Sequence, residues 1–353
     1  MKSVIDILDL TTEEIDDLIN IAKDIMAHPE YFKEQCRGKK IATLFFEPST
    51  RTRLSFEAAM YELGGDVLSV SGANSSAAKG ESVYDTAKIM SFYADIIAMR
   101  HYKEGAALRL ARNASVPVIN AGDGGHCHPT QTLADLCTIS LKKGGFDNLT
   151  VGLCGDLKYG RTVHSLINAL SRYKNIKFLL ISPSELALPD YEKAVIEKSG
   201  MLYEQTDNLE NALPELDVLY MTRIQRERFD DISEYERLKD SYVLNAEKMK
   251  SAKKDCIVLH PLPRVNEIST DFDNDPRALY FEQANNGKYM RMALILKLLF
   301  GNMQEKEIEY IKDKVCDNPR CITSCEQEVE QLFLMNDDGK TCRCAYCEKE
   351  QKI

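Results

Sequence analysis

Apolar runs of strand length alternate with amphipathic stretches of helix length along most of the chain. Such alternation is typical of parallel sheets whose strands are joined by helices. Eight runs are predicted as strands, at residues 40–46, 66–70, 95–99, 116–120, 149–155, 176–181, 217–221 and 256–260. Four of these precede residue 125 and four follow residue 148. The pattern therefore predicts two doubly wound α/β halves rather than one large sheet.

Three helices have ends that the sequence defines. The first covers residues 13–26 and starts from a capping box formed by Thr11 and Glu14. The second begins in the HPTQ stretch and ends at the glycine pair 144–145, where we place a hinge between the halves. The third lies near residues 288–300 and follows the last predicted strand. It is expected to return to the first half.

The length and composition agree with several folded domains. At 353 residues the chain exceeds one ordinary core, and 44% hydrophobic with 28% charged residues describes a globular protein. We predict three domains with these limits: residues 1–143 completed by 288–305, residues 144–287, and residues 306–353.

The net charge of −10 restricts the partners of the protein. A surface of this charge repels nucleic acids and anionic membranes at long range, so neither is an expected partner. Any site for an anion must then be a local pocket. The N-terminus is acidic before any apolar run, and no later run reaches membrane-spanning length. We therefore expect a cytoplasmic protein.

The cysteines are distributed unevenly. Five of the eleven are scattered over residues 1–256, and six lie in the last 38 residues. The spacing of two pairs in this tail is typical of a closed tetrahedral zinc site. The predicted ligands of a structural zinc ion are Cys316, Cys321, Cys344 and Cys347.

Two alternatives for the tail stay open. Cys325 and Cys342 break the pairing and are interpreted as spare thiols, while disulfides are the alternative to zinc, disfavoured by the expected compartment. A zinc ribbon that binds nucleic acid is the other alternative. The eight basic and eleven acidic residues between Lys306 and Ile353 argue against it.

The stretch FFEPSTRTR contains the most informative turn. A predicted strand ends there and a helix begins within Ser49, Thr50, Arg51 and Thr52. A helix N-terminus offers unpaired N–H groups and positive dipole density, and two arginines add charge-assisted hydrogen bonds. The turn is therefore predicted to bind a phosphate group. The alternative is an ordinary Ser or Thr cap beside solvated arginines.

Further polar groups follow other predicted strands. The candidates are His128 and Gln131, Lys158, Tyr159 and Arg161, Arg223 and Gln225, and Pro261 and Leu262 of the HPLPR turn. Each could alone be part of a solvated loop, and His128 and the nearby His126 could be weak metal ligands or surface histidines. Together with Arg51 and Arg100, the arginines at strand ends of both halves are expected to line one cleft for a small, multiply anionic ligand.

The motifs STRTR, HPTQ, DLKYGRT, TRIQ and HPLPR occur in an order and at separations that resemble aspartate transcarbamoylase catalytic chains. The resemblance covers about residues 3–305. It implies an active-site cleft between two domains, with transfer of the carbamoyl group of carbamoyl phosphate to L-aspartate in de novo pyrimidine biosynthesis and no catalytic cofactor. The ornithine-using relatives typically have a cysteine where this chain has Pro261.

The resemblance also implies roles for individual residues. The phosphate ligands would be Ser49, Thr50, Arg51, Thr52 and Arg100. Thr52, Arg100 and His128 would contact the carbonyl oxygen. Gln131 and the backbone at Pro261 and Leu262 would hold the carbamoyl NH2 group. The two carboxylates of aspartate would be bound by Arg161, Arg223 and Gln225.

In that family a loop of a neighbouring subunit completes each site. The stretch ANSSAAKGES matches this loop, which makes Ser75 and Lys79 the candidates, with Ser76 the alternative to Ser75. The resemblance thus implies a homotrimer with shared active sites. Glu47, next to the phosphate turn, is interpreted either as a partner of Arg161 or Arg228, or as a solvated carboxylate.

The tail, with CDNPRCITSCE and CRCAYCEKE, resembles the zinc half of the aspartate transcarbamoylase regulatory chain. This resemblance implies that the module docks on its own or an adjacent catalytic chain, where it could support a higher assembly. The nucleotide-binding half has no counterpart in the sequence, so no control by ATP or CTP is expected. Two other functions stay open: a transcarbamoylase for another amine such as ornithine, and a non-catalytic scaffold.

Overall fold

The computed structural model describes residues 2–72, 80–224, 229, 231–301, 308–336 and 338–353, with the backbone alone at 232 and 234. The chain forms two compact units. Unit 1 comprises Met1–Thr130 and Lys288–Ile353, and unit 2 comprises Gln131–Gly287. Each unit is built around its own parallel sheet.

Unit 1 contains a four-stranded parallel sheet. Its strands are β1 (Lys40–Phe45), β2 (Asp66–Ser71), β3 (Ile96–His101) and β4 (Val118–Asp123), in the order β2-β1-β3-β4. Every residue of β1 after Lys40 is buried, as expected for a strand whose neighbours and covering helices exclude water on both faces. β2 lies at an edge of the sheet, and its residues are all exposed or half-buried.

Five helices accompany this sheet: α1 (Thr12–Ala27), α2 (Pro29–Phe32), α3 (Thr50–Glu62), α4 (Val83–Tyr93) and α5 (Ala106–Ala111). The predicted capping box of α1 is confirmed. Glu14 N donates to Thr11 Oγ1 at 3.1 Å, and Thr11 N donates to Glu14 Oε2 at 2.9 Å. These two bonds satisfy orphan donors at the start of the helix and fix where it begins.

The chain passes from unit 1 into unit 2 within α6 (Pro129–Lys143). The sheet of unit 2 has five parallel strands in the order β7-β6-β5-β8-β9. They are β5 (Thr150–Cys154), β6 (Lys177–Ile181), β7 (Leu202–Thr206), β8 (Val218–Met221) and β9 (Ile257–Leu259). The helices of this unit are α7 (Arg161–Leu170), α8 (Asp190–Lys198), α9 (Leu209–Ala212) and α10 (Ile232–Leu238). Short 3-10 turns occur at Ile7–Asp9, Ser184–Leu186, Leu213–Glu215, Lys248–Lys250 and Thr270–Phe272.

All eight predicted strands form, and two doubly wound sheets are confirmed. Within these two sheets one strand was not predicted, and one helix begins earlier than predicted. Strand β7 was missed because its residues LYEQT are mostly exposed and polar, as is common at the edge of a sheet. The long helix α11 (Tyr280–Phe300) begins eight residues before the predicted residue 288.

The C-terminal module, residues 308–353, contains α12 (Ile322–Cys325) and an antiparallel sheet of β10 (Phe333–Met335), β11 (Thr341–Cys344) and β12 (Glu350–Lys352). It belongs to unit 1. Phe333 and Tyr346 share a buried apolar cluster with Leu110 of α5 and Ile97 of β3. The structure thus places the module on unit 1 of its own chain, one of the two arrangements that the sequence left open.

Within the part of the chain that the structure describes, no helix combines the length and apolar character needed to cross a bilayer.

Candidate active site

The start of α3 is built as an anion site. Ser49 is the N-cap residue, but its side chain makes no capping hydrogen bond to the helix. Its Oγ lies 3.0 Å from Thr52 Oγ1 instead, so both hydroxyl groups lie at the first turn. Arg51, within the same turn, is exposed. The positive end of the helix dipole, two hydroxyl groups and a guanidinium group are therefore collected at one turn.

Arg100 and His128 meet around one glycine. Arg100 lies in β3, and Gly122 lies near the end of the adjacent strand β4. A Cβ atom on Gly122 would lie 2.9 Å from Arg100 Nη1 and 3.5 Å from His128 Cδ2. Both side chains therefore pack against the bare backbone at the carboxyl end of the sheet, where parallel α/β folds bind ligands.

Glu47 belongs to the same site. Its Oε2 lies 2.8 Å from Arg100 Nη2, and the Arg100 side chain is only 11% exposed. The two groups form an ion pair but are not aligned for a hydrogen bond. The interpretation of Glu47 as a solvated carboxylate is therefore wrong.

In unit 2, Arg161 and Arg223 follow neighbouring strands. Arg161 is the first residue of α7, after β5, and Arg223 lies two residues beyond the end of β8. The strand ends are tied together, because Asp156 N donates to Thr222 Oγ1 at 3.1 Å and Thr222 N donates to Cys154 O at 2.8 Å. Both arginines thus lie at the carboxyl edge of this sheet, each half-buried.

A buried carboxylate organises the polar groups between α6 and the HPLPR turn. Asp135 Oδ1 accepts hydrogen bonds from Gln131 Nε2 at 2.8 Å and from Gln283 Nε2 at 2.5 Å. Gln283 Oε1 in turn accepts from the backbone N–H of His260 at 2.9 Å. These hydrogen bonds connect Gln131, a predicted ligand, to the HPLPR turn, which carries the predicted ligands Pro261 and Leu262.

The HPLPR turn is held from inside by two hydrogen bonds of one histidine. His260 Nε2 donates to Glu267 Oε1 at 2.7 Å, and both side chains are buried. Leu262 N donates to His260 Nδ1 at 2.8 Å, and Leu262 has φ 49°. Burial alone would raise the pKa of Glu267, but the hydrogen bond from His260 holds it below its ordinary value. The backbone around Pro261 and Leu262 is thus fixed by a buried, hydrogen-bonded pair of side chains.

Some predicted site residues lie outside the described part of the chain. They are Ser75, Ser76 and Lys79 of the predicted shared loop, and Gln225 and Arg228 after β8. Their roles stay predictions.

Four cysteines of the C-terminal module form a metal-binding group. Cys316, Cys321, Cys344 and Cys347 each offer a sulfur, and all four sulfurs lie within 4.8 Å of one another. The Sγ–Sγ distances are 3.5 Å for Cys316 and Cys347, and 3.9 Å for Cys321 and Cys344. A tetrahedral ion with metal–sulfur bonds of about 2.3 Å needs sulfurs about 3.8 Å apart. The four thiols therefore fit such an ion.

The other two cysteines of the tail are not part of this group. Cys325 is exposed, and Cys342 is buried in the apolar cluster shared with α5. All eleven cysteines are free thiols, since a disulfide requires sulfurs about 2.05 Å apart. The assignment of the four metal ligands and the two spare thiols matches this arrangement, and the disulfide alternative does not.

Several residues that shape the site were not predicted. Gly122 and Asp135 contact predicted ligands, and Gln283 and Glu267 contact Asp135 and His260 behind them. For Gly122 a signal was present, because it precedes the glycine-bearing turn before HPTQ. Asp135 and Glu267 lie only four and seven residues from their partners but belong to no motif. Gln283 bonds Asp135 across 148 residues, which periodicity does not reveal.

Comparison with known protein families accounts for nearly the whole chain. Residues 2–140 match the carbamoyl-P binding domain of aspartate/ornithine carbamoyltransferase, and residues 147–298 match its Asp/Orn binding domain. Residues 306–353 match the metal binding domain of the aspartate carbamoyltransferase regulatory chain.

Relatives and solved structures agree with these matches. The aspartate carbamoyltransferase catalytic subunit of Lachnoclostridium phytofermentans is 62% identical over 301 residues, or 85% of this chain and 98% of the relative. That of Clostridium novyi is 59% identical over 84% of this chain and 98% of its own length.

Two solved structures have the same fold. The catalytic subunit of M. jannaschii aspartate transcarbamoylase is 44% identical with a TM-score of 0.80, covering 86% of this chain and all of the other. Trypanosoma cruzi aspartate transcarbamoylase in complex with N-(phosphonacetyl)-L-aspartic acid is 38% identical with a TM-score of 0.79, covering 84% and 96%. The chain therefore belongs to the aspartate carbamoyltransferase family and carries a metal-binding domain of the regulatory-chain type at its C-terminal end.

Proposed function

We propose that this protein is an aspartate carbamoyltransferase, which transfers the carbamoyl group of carbamoyl phosphate to the amine of L-aspartate. The observation that carries the proposal is the start of α3, where Ser49 leaves the helix uncapped and Arg51 is exposed beside Thr52. A phosphate group suits this turn because its charge is met by the helix dipole and by a guanidinium group. The family membership supports the same substrate.

In the proposed reaction, unit 1 binds carbamoyl phosphate and unit 2 binds aspartate. Arg161 and Arg223, at the carboxyl edge of the second sheet, would bind the two carboxylates, with Gln225 as the third ligand. The predicted limits of these two domains, 1–143 with 288–305 and 144–287, remain part of the proposal. The T. cruzi relative has been solved with carbamoyl phosphate and aspartate bound, which supports this pair of substrates.

The chemistry needs no covalent intermediate. The aspartate amine attacks the carbonyl carbon, a new C–N bond forms, and negative charge develops on the carbonyl oxygen. Thr52, Arg100 and His128 would donate hydrogen bonds to that oxygen, and a lost donor of this kind costs about 2.7–4 kcal/mol. The C–O bond to phosphate then breaks. The phosphate group leaves with the electron pair and accepts the proton of the amine, which gives the hydrogen phosphate dianion.

Gln131 and the backbone at Pro261 and Leu262 would hold the carbamoyl NH2 group. The support for this role is the hydrogen-bonded chain through Asp135 and Gln283, which fixes the Gln131 side chain and the HPLPR turn relative to each other. Holding both substrates in attack geometry supplies much of the remaining rate.

A product assay tests this function. The purified protein is supplied with carbamoyl phosphate and either aspartate or ornithine, and carbamoyl-aspartate and citrulline are quantified. We expect carbamoyl-aspartate alone. Citrulline formation would assign the protein to another amine, and no turnover with either amine would favour the scaffold.

An arginine pair in α3 provides a matched control. Arg51→Ala should lower kcat/KM by about 10- to 100-fold, because a charge-assisted hydrogen bond contributes about 1.5–3 kcal/mol. Arg53→Ala changes the same residue type two positions along the helix, where the side chain lies 3.7 Å from Glu57. It should leave kcat/KM nearly unchanged, and an equal loss in both variants would contradict the proposed site.

We further propose a homotrimer in which Ser75 and Lys79 of one subunit complete the site of the next. Large apolar side chains of α3 and α4 support an oligomer, because they are exposed in the single chain. They are Leu54, Tyr61, Tyr84, Ile89, Phe92 and Tyr93. The Phe92 side chain is 80% exposed, which is unfavourable unless another chain covers it.

Mixing two impaired variants tests the shared site. Trimers of Arg51→Ala and trimers of Lys79→Gln are unfolded, mixed and refolded together, so that the subunits redistribute. If sites are shared, some sites of the hybrids combine two intact halves and activity rises above that of both parents. If each chain carries a whole site, the mixture keeps the low activity of its parents. Light scattering reports the trimer in both cases.

We propose that the ion held by the four cysteines is zinc, which prefers tetrahedral thiolate sites. Its role is structural, because four protein sulfurs leave no open position. The many free thiols also support the proposed cytoplasmic location, since reducing compartments preserve them.

A further inference from the structure

The turn between Gly122 and His128 places His128 beside Arg100. Asp123 braces this turn from inside: its Oδ1 accepts from Cys127 N at 3.3 Å, and its Oδ2 accepts from Gly105 N at 2.8 Å. Asp123 is completely buried. The position of His128 therefore depends on what holds residues 123–127.

The C-terminal module contacts this turn through an ion pair. Glu348 Oε2 lies 3.6 Å from His126 Nε2, while Nδ1 on the other side of the same imidazole lies 3.2 Å from Asp123 Oδ2. Burial alone would lower the pKa of His126, but Cys127 and Asp123 raise it well above its ordinary value. The His126 ring thus lies between a carboxylate of the module and the carboxylate that braces the turn.

A second contact between the module and the turn runs through Glu104, in the segment before α5. Glu104 N donates to Arg320 O at 3.2 Å, and Asn318 Nδ2 donates to Glu104 Oε2 at 2.6 Å. A Cβ atom on Gly124 would lie 2.7 Å from Glu104 Cγ. Glu104 is therefore fixed by the module on one side and packed against the turn on the other.

Glu348 is the carboxylate that the module contributes to the surroundings of His126. His126 and Glu348 both line a cavity of about 470 Å³ in unit 1, between the N-terminal segment and the module. Asp6 of the N-terminal segment lines the same cavity, within 4.8 Å of His126. Glu348 is itself oriented by Arg343 Nη1, 3.9 Å from its Oε1. Without Glu348 the module would no longer contact His126 through a carboxylate, and Asp6 would remain beside the ring.

We infer that Glu348 is a positioning residue for His128, acting through His126 and Asp123 on the turn that carries it. The metal-binding module would then contribute to turnover as well as to stability. This inference rests on the proposed function, in which His128 contacts the reacting carbonyl group. The inference adds to that function because it assigns a role in the reaction to a residue of the C-terminal module.

The test compares two carboxylates of the module. Glu348→Ala removes the contact to His126 and should lower kcat about three- to tenfold, because a small displacement of a reacting group is costly. The KM for carbamoyl phosphate should change less than twofold, since the turn at α3 is untouched. Glu348→Gln keeps the shape of the side chain and an oxygen next to His126 but not its charge, so it should recover only part of the loss.

Glu330→Ala is the matched control. Glu330 Oε2 lies 3.0 Å from Arg112 Nη2, so it also joins the module to unit 1, and its 43% exposure is close to the 45% of Glu348. Its carboxylate does not contact the turn. We expect unchanged kcat in this variant, and bound metal at the wild-type level in all three.

A spectroscopic measurement distinguishes a displacement of His128 from a general loss of rigidity in unit 1. The chain has six histidines and no tryptophan, so 13C labelling of the imidazole Cε1 atoms gives few signals. Glu348→Ala should shift the signals of His126 and His128, and Glu330→Ala should shift neither. Equal kcat in the two alanine variants, or a loss in Glu348→Ala without a shift of His128, would overturn the inference.

Failure of the inference and failure of the proposed function are distinguishable. If the wild-type protein forms no carbamoyl-aspartate, the proposed function fails before any variant is compared. If the wild type is active and Glu348→Ala is equally active, only the positioning role fails.

Discussion

Glu47 and Arg100 form an ion pair of 2.8 Å at the carboxyl end of the sheet of unit 1. The pairing follows from the register of two parallel strands, in which Phe45 of β1 lies opposite Arg100 of β3. Glu47 stands two residues further along the chain and reaches back to the guanidinium group. The proposed phosphate site therefore holds an internal counter-ion, which a ligand anion has to displace.

We expect Glu47→Gln to bind inorganic phosphate about two- to fivefold more tightly, because the competing carboxylate is removed. Isothermal titration with phosphate measures the change. Glu62→Gln serves as the control, since it removes a carboxylate from an ion pair with Lys288 in the same unit. Unchanged or weaker phosphate binding in Glu47→Gln would show that the pair does not compete with the ligand.

Gly122→Ala should disturb Arg100 and His128 together. The added methyl group would lie 2.9 Å from Arg100 Nη1, on a residue with φ 114°. We expect a loss of about 1–3 kcal/mol of stability and a fall in kcat/KM of about 100-fold. Gly38→Ala is the control, because Gly38 has φ 75° and nothing within 4 Å of the added atom. It should lose stability alone, and an equal loss of activity there would contradict the explanation.

Cys321→Ser should remove the metal and unfold the module. Structural zinc supplies an apparent free energy of about 10–16 kcal/mol in small modules, and Cys321 is a fully buried member of the four-thiol group. We expect metal content well below the wild-type value and a lower melting temperature, because the module covers apolar surface of α5. Elemental analysis and thermal unfolding measure both. Cys325→Ser, at an exposed thiol outside the group, should change neither.

Asp6→Asn should stabilise the protein at neutral pH but not in acid. Burial and the nearby Glu348 raise the pKa of Asp6 from 3.8 to about 6. Between pH 3.8 and about 6 the Asp6 carboxyl group is protonated in the folded protein but ionised in the unfolded chain. The free energy of unfolding therefore falls as the pH rises through this range. The amide still accepts the hydrogen bond from Leu8 N that Asp6 Oδ1 now accepts.

The gain from Asp6→Asn should therefore grow from near zero at about pH 4 to about 1–2 kcal/mol at about pH 7.5. Denaturant unfolding at several pH values measures it. Asp66→Asn, which neutralises an exposed carboxylate at the start of β2, should show no such growth. A gain that is equal at both pH values would mean that the carboxyl group of Asp6 titrates normally.

Local signals in the sequence determined much of the architecture. Buried strands can be recognised as apolar runs because both of their faces are covered. The capping box of α1 is a contact between residues three positions apart. The spacing of the four cysteines and the hydroxyl and arginine residues of the α3 turn are equally local. Each of these features could be predicted because all the residues that form it lie within a short segment or at a recognisable spacing.

Features that depend on partners far along the chain were decided by the tertiary structure alone. The edge strand β7 is mostly exposed and forms a strand because its backbone pairs with β6. Asp135 and Gln283 are 148 residues apart in sequence, and His126 and Glu348 meet only because the module docks on its own chain. The stabilisation of such contacts comes from burial that the fold creates, so no pattern of neighbouring residues specifies them.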